Sequence, residues 1–165
     1  MFKSLFLPIL AVAAFIVLVG LLSKGKLDGV LKKITPTVNI TQKTIRIDTK
    51  EIKVEVAKSD EERAKGLGGR EDLAETSGMI FVFNKDSKPV FWMKDTKIAL
   101  DIIWINDSKV VKINENVAPE PNVADSDIKR YPAPSAIDYV LEVNGGFSKK
   151  YGIKVGQMIS GLEQL

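Results

Sequence analysis

The chain has 165 residues and contains neither histidine nor cysteine, which excludes cysteine nucleophiles, Ser-His-Asp triads, His/Cys zinc sites and disulfides. Its net charge of +3 is unevenly spread: residues 1–43 carry six lysines against Asp28, a net +5, whereas residues 44–165 carry a net −2. A nucleic-acid binder concentrates positive charge on its folded domain, so no nucleic-acid partner is expected. Carboxylate, Lys, Tyr or Ser chemistry is left, or binding without chemistry.

From Leu5 to Leu22 no side chain is charged or strongly polar, and only Pro8 and Gly20 interrupt the run. That length just crosses a hydrocarbon layer of about 30 Å at about 1.5 Å per residue. Residues 1–23 are therefore predicted as a transmembrane anchor, with a cleaved signal segment as the competing reading. Signal peptides have an apolar region of about 7–15 residues ending in a small-x-small site. Here the run is longer and ends Val19-Gly20-Leu21-Leu22-Ser23. Lys3 lies on one side of it and Lys24, Lys26, Lys32 and Lys33 on the other, so the charge rule alone slightly favours a cytoplasmic C-terminus.

Residues 24–43 are predicted as a basic juxtamembrane linker. Leu27, Val30, Leu31 and Ile34 fall at helical spacing, so the segment reads equally as a short helix lying on the membrane surface or as a polar linker. Pro36 ends it.

Residues 44–165 are predicted as a β-rich domain. Ile45 and Ile47, then Ile52, Val54 and Val56, alternate with charged residues and suggest two short strands or one bent one. Ser59-Asp60-Glu61-Glu62 is a capping box that opens one short helix, closed by Gly66. Strands are predicted over Met79–Phe83, Pro89–Met93, Ile98–Ile105, Val110–Val117, Ala136–Val143 and Val155–Ile159. Asn84–Ser87 and Asn106–Lys109 are read as hairpin connections. Ala118 to Pro134 holds four prolines and is read as an irregular loop. Asn144-Gly145-Gly146 is a turn, and Phe147–Tyr151 a single helical turn capped by Gly152. Short strands at this spacing indicate a compact sandwich or barrel-like, mainly β domain.

Several patches carry a family resemblance: Val54–Ala57, Glu62–Leu67 with Gly69-Arg70, Gly78–Phe83, Trp92-Met93-Lys94-Asp95-Thr96, Leu100-Asp101, Glu115–Val117, Tyr131-Pro132 and Tyr139–Gly145. In this order and spacing they resemble the bacterial and archaeal family known as domain of unknown function 192. The resemblance runs from about Ile52 to Gly161. It implies a mainly β, sandwich-like domain with one short helix and transfers no catalytic residue. Export signals are frequent in that family, which implies an extracytoplasmic domain. Gly68 stands where the family often has Met, Ala99 where it often has Pro, and the 118–131 loop lacks the Cys pair of some members.

Strand parity singles out Asp101. It falls in register with Ala99, Ile103 and Ile105, a carboxylate on an otherwise apolar row. A buried carboxylate must be paired or neutralised, and Arg70, Arg63 and Lys94 are the candidate partners. Asp101 is then either a pocket residue or half of a buried ion pair that pins a loop. Trp92 beside Lys94 reads as a stacking or anion-binding platform, or as a core aromatic. Arg70, after a Gly-rich turn, could grip a carboxylate or phosphate bidentately, or tie its own loop to the sheet. Asp125 and Asp127 lack the spaced oxygen ligands of a calcium loop, so neither metal nor cofactor is expected.

Arg70, Trp92, Lys94 and Asp101 form the candidate ligand-binding set. The expected function is a single-pass, membrane-tethered binding or accessory module with no catalytic residues. One alternative is a hydrolase acting on envelope polymer through a carboxylate pair such as Asp95 and Asp101, which needs a fixed separation. The other is a purely structural or interaction domain.

Overall fold

The computed structural model describes residues 42–165; the anchor predicted over residues 1–23, and the linker predicted over 24–43 apart from its last two residues, lie outside it. Among the described residues no helix is long and apolar enough to cross a membrane.

Strands β1 (Gln42–Ile47) and β2 (Lys50–Ala57) form the hairpin that the alternation of Ile45, Ile47, Ile52 and Val54 predicts, and Asp48 turns between them at φ 53°. Helix α1 (Asp60–Lys65) begins at the expected capping box. Ser59 Oγ accepts from the Glu62 amide at 3.1 Å, and the Glu62 carboxylate accepts from the Ser59 and Lys58 amides at 2.9 and 2.7 Å. These amides hold the Glu62 carboxyl below its ordinary range. Gly66 closes the helix at φ 47° and ψ −136°, a conformation open essentially to glycine alone, and a Cβ there would already touch the Phe81 ring at 3.4 Å.

Helix α1 is the crossover that lets β3 (Ser77–Ser87) run parallel to β2. Strands β5 (Leu100–Asn106), β6 (Lys109–Val117) and β8 (Ile137–Asn144) complete a seven-stranded sheet in the order β6-β5-β8-β3-β2-β1-β9, where β9 is Ile159–Ser160. Strands β4 (Val90–Phe91) and β7 (Tyr131–Pro132) pair as a separate ribbon. Asp107 and Ser108, at φ 47° and 60°, make the expected two-residue turn between β5 and β6.

The sheet curls into a half-barrel rather than dividing into the two layers of a sandwich. The C-terminal segment drives the curl because it bonds both edges. Ile159 and Ser160 pair with Ile47 and Arg46 of β1, while the Val110 and Ile159 amides donate to Gln157 and Ser108 carbonyls at 2.9 and 2.8 Å. The inner face is packed by Ile45, Ile52, Ile80, Ile103 and Leu141 among others. The outer face carries Met79, Phe81, Ile102, Trp104 and Val140, covered by the segments after α1 and around β4 and β7.

Four expectations are corrected. Asn84–Ser87 is not a turn but the end of β3, where the ladder with β8 jumps from Val82 opposite Tyr139 to Ser87 opposite Ile137, so the chain bulges without reversing. The strand expected over Pro89–Met93 shrinks to two residues, and the one expected over Val155–Ile159 to Ile159–Ser160. Ile98 and Ala99 precede β5 rather than belonging to it. Phe147–Tyr151 forms α2, capped by Gly152 as expected, and a 3-10 turn follows at Leu162–Gln164.

Candidate functional site

The predicted site residues do not converge. Asp101 is fully buried, as its parity requires, but neither Arg70, Arg63 nor Lys94 pairs with it. Its carboxylate is held by backbone amides instead: Oδ1 accepts from Asn116 at 2.7 Å and Gly146 at 2.8 Å, and Oδ2 from Ser148 at 2.7 Å. Asn116 reaches it because Glu115 and Asn116 bulge opposite Asp101 in the β5–β6 ladder, with Asn116 at φ 48°. Asp101 thus staples the β6 bulge and the start of α2 to β5. Asp95 stands exposed in a left-handed turn at φ 54°, so Asp95 and Asp101 form no solvent-facing dyad for hydrolysis.

Arg70 is spent on Glu55 of β2, bidentately, at 2.6 and 2.5 Å, an arrangement that ties the Gly68-Gly69 loop to the sheet and raises the Arg70 pKa. Lys94 pairs with Asp125, and that hydrogen bond holds its pKa above the ordinary lysine value. Trp92 is half-buried. The Arg130 guanidinium stacks 3.7 Å from its ring centre, and the Lys94 ammonium lies 5.3 Å away.

Trp92 and Lys94 do share a cleft, of about 220 Å³, between the end of α1, the β4 segment and the outer face of the sheet. Aromatic rings form its wall. Phe91 sits at their centre, edge-on to Phe81 at 4.9 Å, to Trp104 at 5.5 Å and to Phe83 at 6.2 Å. The backbone from Lys65 to Gly68 closes the opposite side. Arg63 lines it too, anchored to the Val82 carbonyl at 2.9 Å, to the Lys58 carbonyl and to Asp60.

The cleft contains one group that the sequence analysis did not single out. Glu142 of β8 lies between Met79 of β3 and Ile102 of β5, on the outer face, and is only 5% exposed. Among the described residues nothing donates a hydrogen bond to its carboxyl, and no cation pairs with it. Burial alone pushes it up to a pKa of about 8. The single sealed side-chain polar atom without a partner among the described residues is Ser148 Oγ, so the Glu142 oxygens are open to the cleft they line. The β3–β8 ladder is unusually tight beside it: a Cβ on Gly78 would stand 2.4 Å from the Glu142 carbonyl oxygen, so only glycine fits. The parity argument that exposed Asp101 on β5 would have exposed Glu142 on β8, within Val140-Leu141-Glu142-Val143.

The described residues form a mainly β half-barrel with an aromatic cleft over a lone acid, and among them no three acidic groups converge as metal ligands. The family model of domain of unknown function 192, described as an uncharacterized ACR, matches residues 42–161, and the chain belongs to that family. It is similar to the crystal structure of a protein of unknown function from Novosphingobium aromaticivorans DSM 12444, with a TM-score of 0.67 and 32% identity over 77% of this chain and 90% of that one. It is also similar to that of a protein from Sinorhizobium meliloti 1021 proposed to be a transcription regulator, with a TM-score of 0.67 and 28% identity over 74% and 95%. No curated protein matches the chain.

Proposed function

We propose that this protein is a membrane-tethered, extracytoplasmic binding module whose ligand enters the cleft over Glu142. One observation carries the binding reading: a buried carboxyl, unpartnered among the described residues, that lines the cleft. With a pKa raised from 4.5 to about 8, it costs the free protein stability at every pH above 4.5. At about 1.4 kcal/mol per pH unit the loss reaches roughly 5 kcal/mol by pH 8, a large part of a typical domain's 5–15 kcal/mol. A glutamine of the same shape would avoid it. Groups kept at such a cost are typical of binding and catalytic clefts.

The tether rests on the apolar run Leu5–Leu22 and on the lysines that follow it. The extracytoplasmic placement rests on the export signals frequent in the family. The word regulator attached to the Sinorhizobium relative points to nucleic acid, but the net −2 of residues 44–165 argues against carrying it over.

A thermal-shift screen of the full-length protein against sugars, anions, amines and nucleotides tests the cleft. A ligand at 100 times its Kd adds about 2.7 kcal/mol and raises the midpoint by several degrees. The expected hit loses its effect in Glu142→Gln and keeps it in Asp101→Asn. A ligand insensitive to Glu142→Gln would place the site elsewhere.

A further inference from the structure

Granting the cleft as the binding site, we infer that its ligand presents an organic cation, an alkylammonium or guanidinium group, which Glu142 receives as counter-ion beside the Phe91 ring. The inference follows from what the cleft lacks. Glu142 is the one buried ionisable group among the residues that line it, and among the described residues nothing pairs with it. The basic residues that line the cleft are committed or exposed: Arg63 to Asp60 and two carbonyls, Lys94 to Asp125, and Lys65 to solvent at the rim. Solvent screens exposed charges, whereas a carboxylate in low-dielectric surroundings acts at nearly full strength at contact. A cation reaching Glu142 therefore gains more there than it loses at the rim.

Where Glu142 is ionised an anion would meet the reverse balance, since its attraction would come from screened lysines and its repulsion from the floor. Aromatic faces favour the same ligand. Arg63 already lies 5.3 Å over Phe83, Lys94 and Arg130 cover Trp92, and Phe81 is buried, which leaves the half-buried Phe91 as the ring open to a newcomer. At about 220 Å³ the cleft is below the roughly 300 Å³ of drug-sized sites, so it takes one head group with a short chain.

Protonation sharpens the inference into a test. The neighbouring elements bring Arg63 and Lys65 from α1 and Lys94 from the segment after β4 to the cleft, while β3 and β5 flank Glu142 with Met79 and Ile102. Burial keeps Glu142 protonated below pH 8 in the free protein, so a cation binds by displacing that proton, and its affinity rises with pH. n-Butylammonium, 1-butanol and butyrate share one chain and differ in head group, so they isolate charge.

Calorimetric titration of the full-length protein should show n-butylammonium binding at least tenfold more tightly than the other two. Its affinity should rise about thirtyfold from pH 6.5 to 9, with close to one proton released near neutral pH, and the preference should vanish in Glu142→Gln. If butanol or butyrate binds as well as the amine, the cation assignment is wrong although the cleft reading stands; if Glu142→Gln retains the amine, the amine binds elsewhere and both readings fail. If no probe binds and the broader ligand screen is also flat, both fail.

Discussion

Asp101 and Glu142 sit on adjacent strands, point to opposite faces of the sheet, and are both buried, yet their surroundings differ in kind. Asp101 receives three amide hydrogen bonds, each worth about 1.5–3 kcal/mol to a charged acceptor and more when a buried donor is orphaned. Asp101→Ala should cost at least about 3 kcal/mol in urea denaturation, and Asp101→Asn somewhat less, because its amide group then faces the Ser148 N–H donor. Neither change should alter ligand binding by molecules that still fold. Glu142 receives nothing and should behave oppositely. Its folded-state pKa of about 8 lies above the ordinary 4.5, so the folded state holds a proton that the unfolded chain has lost. The stability it supplies is complete below pH 4.5 and declines until pH 8. Glu142→Gln should flatten that slope and leave the variant several kcal/mol more stable than the parent at pH 8, as measured by denaturation at pH 5, 6.5 and 8. The carboxylates of Glu62, Glu71 and Glu75, all held below their ordinary range, act in the other direction and only below pH 4.5.

At the scale of elements, the parts written in local chemistry were legible in the sequence. The capping box, the Gly66 stop, the β1–β2 alternation and the Asp107-Ser108 turn each need only neighbouring residues to specify them. The misread segments depend on distant partners. Asn84–Ser87 bulges, with Asp86 at φ 71°, and rejoins β8 at Ser87, and Val155–Ile159 reads as a strand although its hydrogen bonds are divided between Val110 and β1. The site followed the same division. Parity found that Asp101 is buried but named arginine and lysine as partners, because backbone amides leave no trace in side-chain composition. Trp92 and Lys94 line one cleft, whereas Arg70 is consumed by Glu55, and Glu142 was passed over inside an apolar strand that reads as core. Helix α1 makes one wall of the cleft with no buried residue of its own, so its cap matters more than its packing. Ser59→Ala should cost about 1 kcal/mol and weaken ligand binding at the cleft, a pairing that denaturation and titration of the same sample would reveal.

For the whole molecule, the composition divides a basic N-terminal stretch from an acidic folded domain, and the proposed role needs both. If residues 1–23 anchor the chain, the intact protein should remain in the membrane fraction after alkaline carbonate extraction, and the 44–165 region should be cut by protease added outside the cell; recovery as a shortened soluble product would instead identify a cleaved signal. The account of binding turns on Glu142, and the most direct measurement is a carbon-13 NMR titration of its side-chain carboxyl in the full-length protein, with and without n-butylammonium. The prediction is a midpoint near pH 8 in the free protein, moved downward by the amine. A midpoint in the ordinary glutamate range, unmoved by any ligand that binds, would contradict it.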